Sequence, residues 1–278
     1  MPEGDTIFRT ARALHRALAG ERVTRLETAL ATLARVNDDT PIEGRTVESV
    51  SARGKWLLMR FSGDLVLLTH MLMSGSWHIY RRGERWRLGR WRMRIVITTE
   101  RMVAVAFDVP IAEFHTELSL ARRKGLAQLG PDLLDAAFDE AEAVQRLRSC
   151  PELEIGVALL NQKLMAGVGN EFKSEICFAA RVNPFRTVGS LTDAELNLIV
   201  RTSAKLLRAN VTDNSGEQVV TYTGFRRTTG RSNLLERLWV YGRDGEPCRV
   251  CGAALEMRRQ GEDARVTFWC PRCQPLRD

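Results

Sequence analysis

Near its C-terminal end the chain carries two C-x-x-C pairs, "CRVC" at Cys248 and Cys251 and "CPRC" at Cys270 and Cys273, with 18 residues between them. Each pair makes a tight knuckle whose two thiolates bind one ion, and two knuckles complete a tetrahedral sulfur shell. The spacing predicts one structural zinc ion per chain, with another metal or a redox pair as the alternatives. Four cysteine ligands leave no open position for a water, so the finger is a scaffold and any chemistry lies elsewhere. Between the pairs, "ALEMRRQGEDARVTFW" reads as two short strands around a turn at "QGED". That hairpin presents Arg265 just ahead of its returning strand, with Arg258 and Arg259 opposite. Cys150 and Cys177 stand alone in helical stretches and read as buried thiols. A disulfide framework is not expected in a chain of this length with no export signal.

A length of 278 residues allows one large core, or two modest domains with a small appendage. No uncharged apolar run approaches the roughly 18–20 residues that span a bilayer. The N-terminus also lacks the basic start and cleavage site of a secretory signal. No membrane partner and a cytoplasmic setting are therefore expected. The formal net charge is +7 with a pI near 9.4, and arginine greatly outnumbers lysine among the 41 basic residues. Arginine grips phosphate bidentately and stacks on flat rings, which makes nucleic acid the leading partner class. A GC-rich genome is the alternative cause of the bias.

Along the chain, Ile7, Ala11, Leu14 and Leu18 recur at helical spacing after Asp5 and Thr6, either of which is placed to cap the first turn. From Val23 to Val109 the pattern changes to short alternating or apolar runs, which predicts a sandwich or barrel-like β domain. Lys55 falls on one of these strands, in "RGKWLL". In "RWRMRIVITT" the arginines at 90, 92 and 94 are expected on one strand face, with Trp91, Met93, Ile95 and Ile97 on the core side. From "ARRKGLAQLGPDLLD" to about Ala209 the pattern is helical, after a hinge near residues 121–131. The polar, glycine-punctuated stretch "VTDNSGEQVVTYTGFRRTTGRSN" reads as a long loop.

Three further stretches carry candidate chemistry. "LLNQKLMAGVGNEFKSEICFAARVNP" reads as a leucine-rich helix, a tight turn through Gly167 and Gly169, and a second helix that opens at Asn170 or Glu171, with Asn170 placed to cap it. Backbone N–H groups at that second helix start, around Gly169 and Asn170, suit a DNA phosphate. In "HMLMSGSW", Met71, Leu72 and Met73 precede Ser74–Gly75. An apolar wedge into a base stack is one reading of them and a core strand the other. At the N-terminus, Met1 before Pro2 is a context in which the initiator is removed, which would leave a secondary α-amine next to the Glu3 carboxylate. An α-amine has a reference pKa of about 7.7–8 against about 10.4 for lysine, so far more of it is nucleophilic near neutrality. Such an amine can attack a sugar C1′ while Glu3 protonates the ring oxygen.

Together "PEGDT", "GKWLL", "HMLMSGSW", "LGPDLL", "GVGNEFKSEICFAARVNP" and the four-cysteine finger resemble the formamidopyrimidine-DNA glycosylase / endonuclease VIII family, in order and over essentially the whole chain. The resemblance implies an α+β protein. An N-terminal β-sandwich with flanking helices (1–122) would precede a helical domain with a helix-two-turns-helix motif (123–240) and the finger (241–278), with damaged DNA in the cleft. It implies a monomeric base-excision repair enzyme that removes oxidised bases, pyrimidines favoured, and cuts abasic sites by β,δ-elimination. Pro2 would be the Schiff-base nucleophile and Glu3 the general acid. Lys55, Asn170 and Arg265 would hold phosphates flanking the lesion, and Met73 would fill the gap left by the flipped base. Three departures bear on this. Thr6 stands where many relatives have glutamate, "FDVPIAEF" lacks the arginine wedge of guanine-oxidation enzymes, and Ala264 and Val266 flank Arg265 where relatives have glycine and a small hydroxyl residue. A rival reading is a DNA-binding protein without chemistry, which would not need the Pro2, Glu3 and Lys55 set.

Overall fold

The computed structural model describes residues 2–211, 226–231 and 233–276. These fall into two compact units, one running to Gln128 and the other taking in residues 129–211 and the described residues from 226 onward.

In the first unit, helix α1 (Gly4–Leu18) is followed by eight strands. Strands β1 (Val23–Thr28), β6 (Met93–Thr99), β7 (Met102–Phe107) and β5 (Ser76–Arg81) form one antiparallel sheet in the order β1-β6-β7-β5. Strands β2 (Val47–Arg53), β3 (Trp56–Phe61), β4 (Leu65–His70) and β8 (Ile111–His115) form the other. The alternation of side chains along each strand assigns them to opposite faces. Leu57, Met59, Phe61 and Leu67 from one sheet meet Trp77, Ile79, Ile95, Ile97 and Ala104 from the other, and Ile7, Ala11, Leu14 and Leu18 of α1 complete the same core. The outer face of the first sheet has its own cluster of Tyr80, Val96, Val105 and Phe107, covered by Trp86 and Leu88 from the β5–β6 loop.

Several local expectations change here. Neither Asp5 nor Thr6 caps α1. Both lie buried inside its first turn, and the N-cap position belongs to Glu3. A helix, α2 (Ala31–Asp39), interrupts the span read as strands; only Leu33 of it is buried, too little to leave a periodic apolar signal. Lys55 sits on a turn, not a strand, because Arg53 pairs with Trp56 and leaves Gly54 and Lys55 as a two-residue hairpin connection. Gly54 takes φ +57, the sense of twist such tight hairpins need. Strand β6 begins only at Met93. Arg90–Arg92 form a 3-10 turn instead, which puts Trp91 in solvent at 81% exposure, not in the core.

After β8 come two short helices, α3 (Glu117–Arg122) and α4 (Lys124–Ala127). The second unit then holds α5 (Glu140–Arg148), α6 (Ile155–Ala158), α7 (Asn170–Ala179), α8 (Asp193–Ala209) and the hairpin β9 (Glu256–Gln260) and β10 (Arg265–Trp269). Asp139 caps α5, and a Thr192/Glu195 capping box opens α8. Leu147, Ile155, Leu159, Phe172, Ile176, Ile199 and Leu207 lie at the heart of the helical core. Residues 131–138 are irregular, contrary to the helical reading, with Asp132 bridged to Ala166. The expected leucine-rich helix shrinks to the single turn of α6. Beyond it the Asn161 and Gln162 side chains bond to nearby backbone groups and so compete with helix continuation. Most of the stretch read as a long loop after Val211 lies outside the described residues. The architecture is the α+β arrangement of sheets, helices and four-cysteine finger expected from the sequence.

Candidate functional site

In the first unit, Pro2 and Glu3 are buried where the chain enters α1, with Glu3 fully inaccessible. The Glu3 carbonyl accepts the N–H groups of Thr6 at 3.0 Å and Ile7 at 3.1 Å, so the helix itself fixes the backbone of the dipeptide. Asp5, also fully buried, accepts the Thr6 hydroxyl at 3.3 Å and faces Arg9 at 3.7 Å.

The Lys55 turn and the Met73 turn are joined side by side. Trp56 pairs with His70 across β3 and β4, and the two rings meet edge to face with centroids 4.6 Å apart. The Arg123 guanidinium covers the other ring contact, 4.1 Å from the Trp56 centroid, and is held by Glu113 at 2.9 and 3.1 Å. Burial, with the Lys55 and Arg123 charges nearby, pushes the His70 imidazole down to about 4. It is therefore neutral at physiological pH, and its Nδ1 accepts the Leu72 N–H at 3.0 Å. That bond shapes the tip of the β4–β5 turn. Met71 is buried, Leu72 takes φ +45, and Met73 projects at 60% exposure. Gly75 is required beneath it, since a Cβ there would lie 2.6 Å from the Met71 carbonyl oxygen. Met73 is thus an exposed apolar tip on a turn and not a core strand residue.

In the second unit, two tight turns lead from α6 into α7. The Gln162 side chain stitches them, donating to the carbonyls of Leu160 and Val168 at 2.9 Å each and accepting the Gly167 N–H at 3.0 Å. Gly169 takes the N-cap position and Asn170 the first helical one, so Asn170 does not cap as expected. Among the described residues its buried Oδ1 has no hydrogen-bond partner. One turn further on, Lys173 is fully buried and donates to the Val266 carbonyl at 3.2 Å and the Thr267 hydroxyl at 2.6 Å on β10. Thr267 in turn donates to Gln260 at 2.9 Å, and Gln260 donates to the Pro184 carbonyl at 2.8 Å. These bonds bring the α7 start and Arg265, the first residue of β10, onto one framework. Arg265 is exposed, with the Asp263 carboxylate 3.9 Å from its Nε. The preceding Ala264 takes φ +49, a conformation glycine adopts freely and alanine rarely. Arg258 lies 3.7 Å over the Phe185 ring and ties the hairpin to the segment after α7, while Arg259 donates to the Ala264 carbonyl within the hairpin.

The four cysteine sulfurs lie within 4.8 Å of one another. Cys248 and Cys273 approach to 3.9 Å and Cys251 and Cys270 to 3.4 Å. Zinc–sulfur bonds of about 2.3 Å in a tetrahedron place the sulfurs roughly 3.8 Å apart, which these positions fit. Backbone N–H groups of Val250 and Cys273 point at the Cys248 and Cys270 sulfurs at 3.5 and 3.4 Å, as they do toward thiolates. Cys248, Cys251, Cys270 and Cys273 are the ligands of one structural zinc. Glu175, fully buried, ties the entry to this finger: it accepts the N–H groups of Trp239, Val240 and Tyr241 at 2.9 Å each. His70, Gln162, Lys173 and Glu175 were not singled out from sequence. A lysine and a glutamate on the buried side of α7, amid the apolar spacing of Phe172 and Ile176, were the available signal.

Comparison with known proteins matches three domain descriptions in order. They are the formamidopyrimidine-DNA glycosylase N-terminal domain over residues 1–108, the formamidopyrimidine-DNA glycosylase H2TH domain over 129–221, and the zinc finger found in FPG and IleRS over 245–276. "Probable endonuclease 8 2" of Streptomyces coelicolor is 38% identical over 99% of this chain and 94% of its own length. "DNA-(apurinic or apyrimidinic site) lyase Nei2" of Mycolicibacterium smegmatis is 37% identical over 99% of each chain. The fold matches that of Lactococcus lactis Fpg solved with abasic-site DNA, with a TM-score of 0.82 over 99% of this chain and 100% of that one, at 21% identity.

Proposed function

The chain belongs to the formamidopyrimidine-DNA glycosylase and endonuclease 8 family, in its endonuclease 8-like branch, and on that premise we propose that it works through a Schiff base at the Pro2 amine. It is a DNA glycosylase and abasic-site lyase of base-excision repair. The observation that carries the Pro2 assignment is the burial of Pro2 and Glu3 together at the start of α1, in a chain whose tail bears a DNA-repair type of finger.

In this reading, removal of Met1 frees the Pro2 secondary amine. The neutral amine nitrogen attacks C1′ of the damaged nucleotide; the C1′–base bond breaks, the base leaves with its electron pair and takes up the proton shed by the amine, and Glu3 delivers a proton to the ring oxygen so that the sugar opens. The resulting iminium cation acidifies the C2′ proton, whose loss expels the 3′ phosphate. A second elimination expels the 5′ phosphate, and water then releases the sugar fragment and restores the amine. Lys55 on its turn, the N–H groups at Gly169 and Asn170, the Asn170 side chain and Arg265 hold the phosphates flanking the lesion. Met73 occupies the space of the everted base. The zinc ion supplies no step; it holds the hairpin that carries Arg265. The preferred lesions are oxidised pyrimidines, since "FDVPIAEF" lacks an arginine to pair with the orphaned cytosine. The enzyme acts as a monomer in the cytosol, with residues 1–122 carrying the chemistry, 123–240 the helical grip and 241–278 the finger. No helix among the described residues is long and apolar enough to cross a membrane.

The test is cleavage of a duplex with a single abasic site by Pro2→Gly and Glu3→Gln proteins. Loss of strand cleavage by Pro2→Gly, with duplex binding retained, is the expected outcome. Wild-type cleavage by both variants would return the rival reading, a DNA-binding protein without chemistry.

A further inference from the structure

The β5–β6 loop, residues 82–92, plays no part in the reading above. Between Arg81 and Arg94 the chain carries seven arginines and one acid, Glu84. Two of these arginines are neutralised, Arg90 by Glu27 at 2.7 Å and Arg92 by Asp108 through its Nε at 2.6 Å. Arg94 donates to the carbonyls of Trp91 and Met93. Arg82, Arg85 and Arg87 are exposed, and among the described residues no carboxylate lies within ion-pair distance of their guanidinium groups. The same loop carries Trp91, 81% exposed yet not loose. Its indole lies so close over Gly89 that a Cβ there would be 2.6 Å from Nε1, and the Arg92 guanidinium sits 5.7 Å from the ring centroid. The loop itself is anchored. Trp86 packs 5.8 Å from Phe107 and stacks near Tyr80, whose hydroxyl accepts the Arg87 N–H at 3.1 Å. It covers the outer face of the sheet whose inner face shares its core with α1, so this surface is set apart from the Pro2 site within the unit.

An exposed indole fixed in orientation, on one loop with three unpaired guanidinium groups, matches one ligand chemistry best. The flat ring needs the face of an unstacked base, and the cations need a phosphate backbone. A duplex offers phosphates here but keeps its base faces covered. We propose that the Trp91 surface, with Arg82, Arg85 and Arg87, binds single-stranded nucleic acid, separately from the lesion site. Trp91 stacks on one base and the three arginines neutralise successive phosphates.

The test is fluorescence anisotropy of a labelled, undamaged oligothymidine of about 16 nucleotides, the upper end of single-strand site sizes known for an OB fold, with zinc-loaded protein. Trp91→Ala is expected to weaken binding about thirtyfold, the middle of the range for one base stack, and Trp91→Phe to recover part of that. The triple variant Arg82→Ser, Arg85→Ser, Arg87→Ser is expected to lower the salt slope by about 2, since a single strand releases roughly 0.7 counterion per phosphate. Cleavage of the abasic duplex by these variants stays at the wild-type rate. Pro2→Gly protein binds oligothymidine normally, so failure of the Schiff-base reading leaves this inference standing. Oligothymidine binding by Trp91→Ala within twofold of wild type would overturn it. So would an equal loss of duplex and single-strand affinity in the triple variant, or displacement of the oligonucleotide by an oligoglutamate peptide at equal charge.

Discussion

Glu175 offers a test whose size follows from geometry. Its carboxylate is withdrawn from solvent inside α7 and serves four donors: Oε1 accepts from Val240 and Tyr241, and Oε2 from Trp239 and the Thr228 hydroxyl. Three of those are consecutive backbone N–H groups in the segment that leads to Cys248, so one side chain sets the path into the finger. Glu175→Ala strands all four, and an unsatisfied buried donor costs about 1–3 kcal/mol. Water entering the vacated space recovers part of that, leaving an expected loss of about 3–5 kcal/mol, a large share of the roughly 5–15 kcal/mol that holds a domain together. Glu175→Gln keeps one oxygen for Val240 and Tyr241 and turns an amide toward the other two donors, so about half the loss is expected. Urea denaturation of the zinc-loaded protein measures the total. Hydrogen exchange of the peptide covering residues 239–241 reports the local effect, with protection falling from wild type through Gln to Ala. Unchanged midpoints and unchanged exchange in Glu175→Ala would refute the reasoning, since the donors would then be satisfied elsewhere.

Lys173→Met removes the ammonium that holds β10 through Val266 and Thr267. Its zinc content by mass spectrometry should stay at one per chain while affinity for an abasic-analogue duplex falls several-fold, because the strand bearing Arg265 loses its tether. His70 and His78 both titrate near 4, below the ordinary 6.5, mainly through burial. The unfolded chain therefore takes up protons first, so the stability these groups contribute is full above pH 6.5 and is lost as pH falls from 6.5 toward 4. His70→Asn should flatten that fall and leave the His78 share, measured as thermal midpoint against pH; an unchanged slope would contradict the neutral, buried assignment of His70. Stripping zinc with a chelator should abolish duplex binding and restore it on readdition, because four thiolates without an ion cannot hold the finger.

How far the sequence discloses this molecule depends on whether the signal is local. The finger is written in four cysteines at fixed spacing, and the hairpin between them in two short runs and a turn. The sandwich strands follow from short apolar or alternating runs bounded by turn residues, the apolar runs marking strands buried on both faces. Alternation misleads at Trp91, where arginine and tryptophan alternate without a strand, because only the partner strand decides where pairing begins. Leucine-rich spacing likewise overstates α6, since it describes burial and not backbone path; the Gln162 amide, which closes the turns, has no pattern of its own. Pro2 and Glu3 are legible only through resemblance, for a dipeptide carries no periodicity. The buried polar framework of Lys173, Gln260 and Glu175 was hidden for a related reason. Each bonds to residues dozens of positions away, and those partners are known only once the chain is folded.

The central claim is that the Pro2 nitrogen becomes covalently bound to the damaged sugar. Borohydride reduction during incubation with an abasic-site duplex, followed by proteolysis and mass spectrometry of the crosslinked peptide, tests it directly. The account expects one adduct, on the peptide beginning at Pro2, with the sugar mass on its N-terminal nitrogen. An adduct on Lys55 or any other lysine, or efficient trapping by protein whose N-terminus is blocked by an uncleaved tag, would contradict it.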